Sequence, residues 1–434
     1  MSKYLFRFAE VLIVALALAS CALASGPQEA PAGLEQLFQG SEHQDIPWKV
    51  NFSSPRLMFQ QVYLVEARAR IDPSALRRAG STDVLHFALR VQLEKGKWAT
   101  GGEYKDYKLP PGIRRENEIE YATAVYLRPG NYTLNLAVFD NATGKSSLTR
   151  DAIRVPKLDN DPFPELDAFL APVEFPNGFP QQEVENERTD DGELFPVAQA
   201  GDPIPIATTH PAVVDIVLDM AKRPTQSALD SLDPFERPRF RRRPEIPRIP
   251  SKSAISNYEL EIGRLLQVGD LLSRLAPSSG CVRISAVDVL RMKTILDRAD
   301  KTNLDWGRFE EQIGKFDQDT IDVKVLTNRK GPAHFMRGYL DQLSAESSAC
   351  GAGARHYIIV VSHHVPFPAK DDKLPEVDGE RARFYYLQSQ LGVAVSDDLG
   401  DLLKPVRPER LSFNSPRDFR KALARIVSDM KAGK

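Results

Sequence analysis

Between residues 212 and 434 short apolar runs alternate with helical patterns, and this alternation constrains the fold more than any other feature of the chain. The runs span 213–219, 282–288, 321–326, 357–362 and 384–388. Apolar runs of this length with little polar alternation read as strands buried on both faces. Between them, Ile262, Leu265, Leu266, Val268, Leu271 and Leu272 form a stripe broad enough to cover one face of a sheet. Further helices are expected over 306–316, 333–344 and 416–430, the last repeating Phe419, Leu423, Ile426 and Met430. The pattern predicts a doubly wound α/β, Rossmann-like domain over 211–434, with strand order 3-2-1-4-5. In such a sheet, binding and chemistry sit at the carboxyl ends of the strands.

Upstream, over 46–157, the period changes to two. Leu85, Phe87, Leu89, Val91 and Leu93 alternate with His86, Ala88, Arg90 and Gln92, and a second alternation runs from Tyr132 to Val138. Such alternation marks half-buried antiparallel strands. The run 140–144, Asp-Asn-Ala-Thr-Gly, reads as the turn between the last two of them. The approach to Tyr132 is like the tyrosine corner of immunoglobulin-like sandwiches. The expected class is therefore α+β in two domains, an antiparallel immunoglobulin-like β-sandwich followed by the doubly wound domain. Residues 158–210 join them as an acidic, proline-containing linker. Its 158–193 stretch holds eleven Asp or Glu against the single Arg188. It reads either as a solvated connector or as a strap laying Phe163, Phe169, Phe175 and Phe179 on a neighbouring surface.

Residues 1–24 read as a signal peptide, with Lys3 and Arg7 ahead of an apolar stretch too short to span a bilayer. Ala22-Leu23-Ala24 fits cleavage before Ser25, while Leu18-Ala19-Ser20-Cys21 is similar to a lipobox that would make Cys21 a lipidated N-terminus. Either way the chain is expected to be exported, as a periplasmic, outer-membrane or secreted protein. Residues 26–46 read as a polar tether. With a signal similar to a bacterial lipobox, the sequons at Asn51, Asn131 and Asn141 read as incidental. Only Cys281 and Cys350 remain after Cys21. Each precedes a strand flanking strand one, about 10 Å apart at ordinary strand spacing. A disulfide needs Cα atoms within about 7 Å, so a bond with converging loops and a pair of buried thiols both stay open.

The strand ends carry the functional reading. Asp219 closes strand one and is followed by Lys222 and Arg223. The proline-rich insertion 221–257 leaves from this point and carries Arg239, Arg241, Arg242 and Arg243. Arg329 and Lys330 follow the expected third strand, and His363 and His364 follow the fourth. The acid-terminated first strand, the strand 357–362 and the closing helix together resemble the von Willebrand factor type A family. The pattern is similar to exported bacterial proteins related to that family that carry a β-sandwich alongside. That resemblance implies an Asp-x-Ser-x-Ser loop after strand one, with a Thr and a further Asp, binding Mg²⁺ or Mn²⁺. This chain departs from it at every position, with cationic residues where the hydroxyls would stand, and a cation beside a metal position opposes binding. No metal and no cofactor are expected. Adjacent His363 and His364 lack the third ligand a zinc site usually needs.

Ser285, Ser362 and His356 lack a Gly-x-Ser-x-Gly elbow, and no glycine-rich phosphate loop follows any strand. The expected function is therefore non-catalytic: protein interaction or assembly in the cell envelope. The gathered arginines suit an anionic surface on the partner. A net charge of −2 gives no general pull toward nucleic acid, and membrane contact is expected only through an N-terminal lipid. The alternatives are a metal-dependent adhesion protein using Asp219 with His363 or His364, and a hydrolase using Ser362 or His363.

Overall fold

The computed structural model describes residues 32–72, 76, 84–109, 119–175, 202–221, 256–300, 304, 330–345, 350, 353–363, 382–389 and 397–433. The expected strand 321–326, the expected helix 306–316, the insertion from 222 to 255 and the segment 176–201 lie outside these residues. The chain divides into two compact units. The first comprises 1–52, 67–123 and 131–153, and the second 53–66, 124–130 and 154–434.

The N-terminal half begins with helix α1 (Ala32–Leu37) and strands β1 (His43–Gln44), β2 (Trp48–Phe52), β3 (Arg56–Leu57) and β4 (Tyr63–Ile71). Strands β5 (Val84–Leu93), β6 (Glu103–Lys108), β7 (Ile119–Leu127), β8 (Gly130–Asp140), β9 (Ser146–Val155) and β10 (Val173–Glu174) follow. They form two antiparallel sheets, ordered β1-β9-β8-β5-β6 and β10-β7-β4-β2, with β3 paired to β4. In β5 Leu85, Phe87 and Leu89 are fully buried on the face that the alternation assigned to the core, but Ala88 on the other face is buried too, against Leu34 and Phe38. Phe87 stacks on Tyr121 with ring centroids 4.2 Å apart. The 140–144 turn closes because Asp140 accepts the Ala142 amide at 2.9 Å and the Thr143 hydroxyl at 2.6 Å.

The second half contains β11 (Ile204–Ile206), β12 (Ala212–Asp219), α2 (Ser256–Ser273), β13 (Leu275–Pro277), β14 (Gly280–Asp288) and β15 (Lys293–Asp300). It continues with α3 (Gly331–Ala345), β16 (Arg355–His363), β17 (Ala382–Ser389), α4 (Asp398–Leu403), β18 (Glu409–Phe413) and α5 (Pro416–Ala432). The six-stranded sheet runs β15-β14-β12-β16-β17-β18. Its β14-β12-β16-β17-β18 pairs are parallel, and β15 returns antiparallel. Every residue of β12 is buried, as a central strand covered on both faces requires. Gly280 opens β14 at φ +124°, where a Cβ would lie 1.8 Å from the Ala212 carbonyl oxygen, so only glycine fits. Helix α5 starts with Ser415 accepting the Asp418 amide and Pro416 in the first turn, and stops at Gly433 in the left-handed region. Its Phe419, Leu423, Ile426 and Met430 are all buried.

The expected class is corrected. Among the described residues strand makes up 47% and helix 26%, in several antiparallel sheets with few helices, which does not fit a doubly wound Rossmann-like domain. Two physical reasons stand behind the difference. The segment after β14 turns back at Met292, which takes φ 52°, and forms an antiparallel edge strand beside β14. The core of the second unit also recruits antiparallel segments. Met58, Phe59, Leu64, Ala124 and Tyr126 cluster with Ile216, Leu266 and Phe419. From the 158–174 stretch, Phe163, Leu166 and Leu170 join the same cluster, with Phe169 packed against it.

Candidate functional site

The carboxyl ends of β12, β14 and β16 bring Asp219, Asp288, Ser362 and His363 to one rim, and all four are buried. Asp219 is fully enclosed. One carboxyl oxygen accepts the Ser362 hydroxyl at 2.9 Å, and the other accepts the amides of Ala221 at 3.2 Å and Val289 at 3.4 Å. Burial, then the negative charge of Asp288, push its carboxyl up to about 7, against the pull of those hydrogen bonds. Asp288 is held by Arg291, whose amide donates at 2.8 Å and whose guanidinium donates at 2.6 Å. Nearby Tyr386 is pushed well above its ordinary value by burial, then by Asp397, to which its hydroxyl donates at 2.9 Å.

Ser362 Oγ also lies 2.8 Å from the carbonyl oxygen of His363. A hydroxyl has one proton, so it cannot serve the carboxylate and the carbonyl fully at once. As Asp219 takes up a proton, its O–H can donate to Ser362 Oγ and free the Ser362 proton for the His363 carbonyl.

A second cluster lies earlier on the same strands. Arg283 donates to both oxygens of Asp215, at 2.7 and 2.6 Å, and His356 Nε2 lies 2.5 Å from the same carboxylate. Burial alone would raise this carboxyl; the bonds from His356 and Arg283 outweigh it and hold it below the usual range. Arg283 escaped the sequence reading because its partner is set by cross-strand register, Asp215 opposite Arg283, and not by spacing.

Of the residues expected to gather at the rim, Asp219 and His363 do so. Lys330 is exposed, and its carbonyl accepts the His334 amide at the start of α3. Lys222, Arg223, Arg239, Arg241, Arg242, Arg243, Arg329 and His364 lie outside the described residues, as does Cys21. Among the described residues no group of three or more His, Cys, Asp or Glu is placed to hold a metal ion. No described helix is long and apolar enough to cross a membrane. Cys281 and Cys350 are joined by a disulfide, with Cα atoms 5.8 Å apart. The loops at the amino edge converge, which ideal strand spacing does not convey.

No family model matches the chain, and no curated protein matches it. Among solved structures, a protein from Archaeoglobus fulgidus is 8% identical with a TM-score of 0.16, covering 27% of this chain and 100% of that one. A conjugate transposon protein from Bacteroides vulgatus is 16% identical with a TM-score of 0.16, covering 28% and 93%. A calcium-binding mutant of Bacteroides uniformis β-glucuronidase 2 is 9% identical with a TM-score of 0.19, covering 88% of this chain and 44% of that one. None of these likenesses points to a von Willebrand type A domain, and at such scores none carries an argument about fold or function.

Proposed function

We propose that this chain is a non-catalytic protein-interaction or assembly protein exported to the cell envelope. The observation that carries the reading is that the two acids of the rim are used up internally. Asp219 is enclosed by Ser362 and two amides, and Asp288 by Arg291. A hard divalent cation needs several oxygen ligands free to converge on it, and a nucleophilic serine needs a general base. In the described rim Ser362 is itself fully buried, its hydroxyl held by Asp219 and close to the His363 carbonyl. The disulfide suits a chain that leaves the reducing cytosol. Partner contact falls to the charged stretch that follows Asp219 in the sequence, where the arginines of 221–257 suit an anionic surface.

The test has two arms. Calorimetry with Mg²⁺ and Mn²⁺ is expected to give no binding; saturable binding abolished by Asp219→Ala would establish the metal-dependent rival. Replacing Arg239, Arg241, Arg242 and Arg243 with Gln is expected to weaken capture of envelope partners at about 0.05 M salt, with an unchanged melting temperature. Identical capture by both forms would refute the role given to the insertion.

A further inference from the structure

The two outer strands of the six-stranded sheet differ. Strand β15 is antiparallel, its register against β14 shifts between Ile284 and Ala286 and again before Val287, and Arg298 within it takes φ 46°. Such irregularity blunts an edge against further pairing. Strand β18 keeps an unbroken parallel register against β17, from Tyr385 opposite Glu409 to Ser389 opposite Phe413. Among the described residues no strand pairs with its other side. Arg410 and Ser412 of β18 are exposed, and Leu411 is half-buried.

The surroundings of β18 are basic. From 404 to 434 the sequence holds nine Lys or Arg against Glu409, Asp418 and Asp429, in a chain whose net charge is −2. On α5, Arg417, Lys421 and Arg425 are exposed and recur at every fourth residue, about 6 Å apart at helical rise. Arg425 reaches β18 directly, donating to Glu409 at 2.7 Å, and Lys421 lies 3.2 Å from Asp418. Exposed pairs of this kind hold weakly and can exchange for another anion. An extended chain sets alternate side chains about 7 Å apart, close to the spacing along α5. The same helix already receives acidic chain on another side, where buried Arg420 holds Asp161 and Asp167.

We propose that the β18 edge, bordered by the basic face of α5, receives an extended acidic segment of a partner protein as an added strand. Backbone hydrogen bonds to β18 give affinity, and alternate carboxylates meeting Lys421 and Arg425 give specificity. Positive charge beside the edge also turns away a basic strand. This deepens the interaction reading, on which it rests for its partner, by adding a surface built without the 221–257 insertion.

The probe is a blocked, fluorescein-labelled heptapeptide of alternating Glu and Val, titrated with the full chain in about 0.05 M salt and read by anisotropy. Saturable binding is expected, roughly tenfold weaker in about 0.5 M salt and at least fivefold weaker in Arg417→Glu/Lys421→Glu. Absence of binding by the wild-type chain would refute the site. Two further probes carry N-methyl groups on the Glu amides or on the Val amides. Alternate amides of a strand point to opposite sides, so one probe should lose binding and the other keep it; equal binding by both would refute strand addition. Phosphatidylglycerol vesicles bound in place of the peptide, and released by the same double variant, would give the patch to a lipid surface and overturn the proposal. If Glu183→Gln/Glu185→Gln/Glu187→Gln binds the peptide at least tenfold tighter than the wild type, this chain's own acidic stretch fills the edge and the partner is excluded. The form with Arg239, Arg241, Arg242 and Arg243 replaced by Gln should bind the peptide as the wild type does, whatever its effect on partner capture. Loss in that form alone would assign the binding to the insertion and not to β18.

Discussion

Asp219 concentrates the chemistry that a single residue contributes here. Its carboxyl, raised to about 7, binds a proton in the folded state between about pH 4 and 7, where the unfolded chain does not. Folding stability therefore falls as pH climbs through that window and levels off above it. The contribution is at most on the order of 4 kcal/mol, since each pKa unit is worth about 1.4 kcal/mol. Asn at this position reproduces the protonated pattern, donating to Ser362 and accepting the two amides. Urea titrations should show Asp219→Asn gaining on the wild type between pH 5 and pH 8; a pH-independent difference would remove Asp219 as the group responsible. Arg420 gives the converse case. Its guanidinium is buried and donates to Asp161 at 2.7 and 2.5 Å, to Asp167 at 2.8 Å and to the Phe163 carbonyl at 3.0 Å. Arg420→Met leaves two carboxylates without their cation, and a loss of roughly 3–5 kcal/mol is expected. A loss under about 1 kcal/mol would show that solvent replaces the arginine.

Among the elements, helices α2, α3 and α5 were the most legible, and the short helices α1 and α4 and the edge of the sheet the least. Helix α5 announces itself through a Ser-Pro start, a glycine stop and apolar residues at helical spacing, all local signals. Strand β15 has none of these. Its residues are exposed or half-buried, with no apolar run, and only pairing with β14 makes it a strand. The disulfide belongs to this scale too, since it joins the starts of two strand segments 69 residues apart. Closing a loop of that length stabilises by roughly 4 kcal/mol on the chain-entropy account. Cys281→Ser/Cys350→Ser should lower the unfolding midpoint in oxidising buffer, and adding reductant to the wild type should mimic it. An unchanged midpoint in both would argue that the bond contributes no stability.

For the whole molecule, the second unit draws on three separated stretches, 53–66, 124–130 and 154–434. Within it, the Phe59 amide donates to Gln267 at 3.2 Å, and the Gln60 side chain to Asp270 at 2.6 Å. Cutting the chain between residues 157 and 158 would strip Met58, Phe59, Leu64 and Tyr126 of their apolar neighbours. The separate pieces should bind a hydrophobic dye or aggregate, and co-expression should restore a soluble pair. Two monomeric pieces, each unfolding cooperatively alone, would contradict this.

The sequence alone determined the strands from 212 onward that carry strong apolar runs, the alternation of β5 and β8, and the placing of Asp219 and His363 at strand ends. These depend on periodicity within a few residues, which is written locally. The tertiary structure decided the fold class, the antiparallel return of β15, the Arg283–Asp215–His356 cluster, the enclosure of Asp219 and the docking of the N-terminal segment. Each of these depends on which distant segments pair, and the hydrophobic effect that drives pairing is non-directional. The same apolar run satisfies more than one neighbour until the whole chain has closed around it.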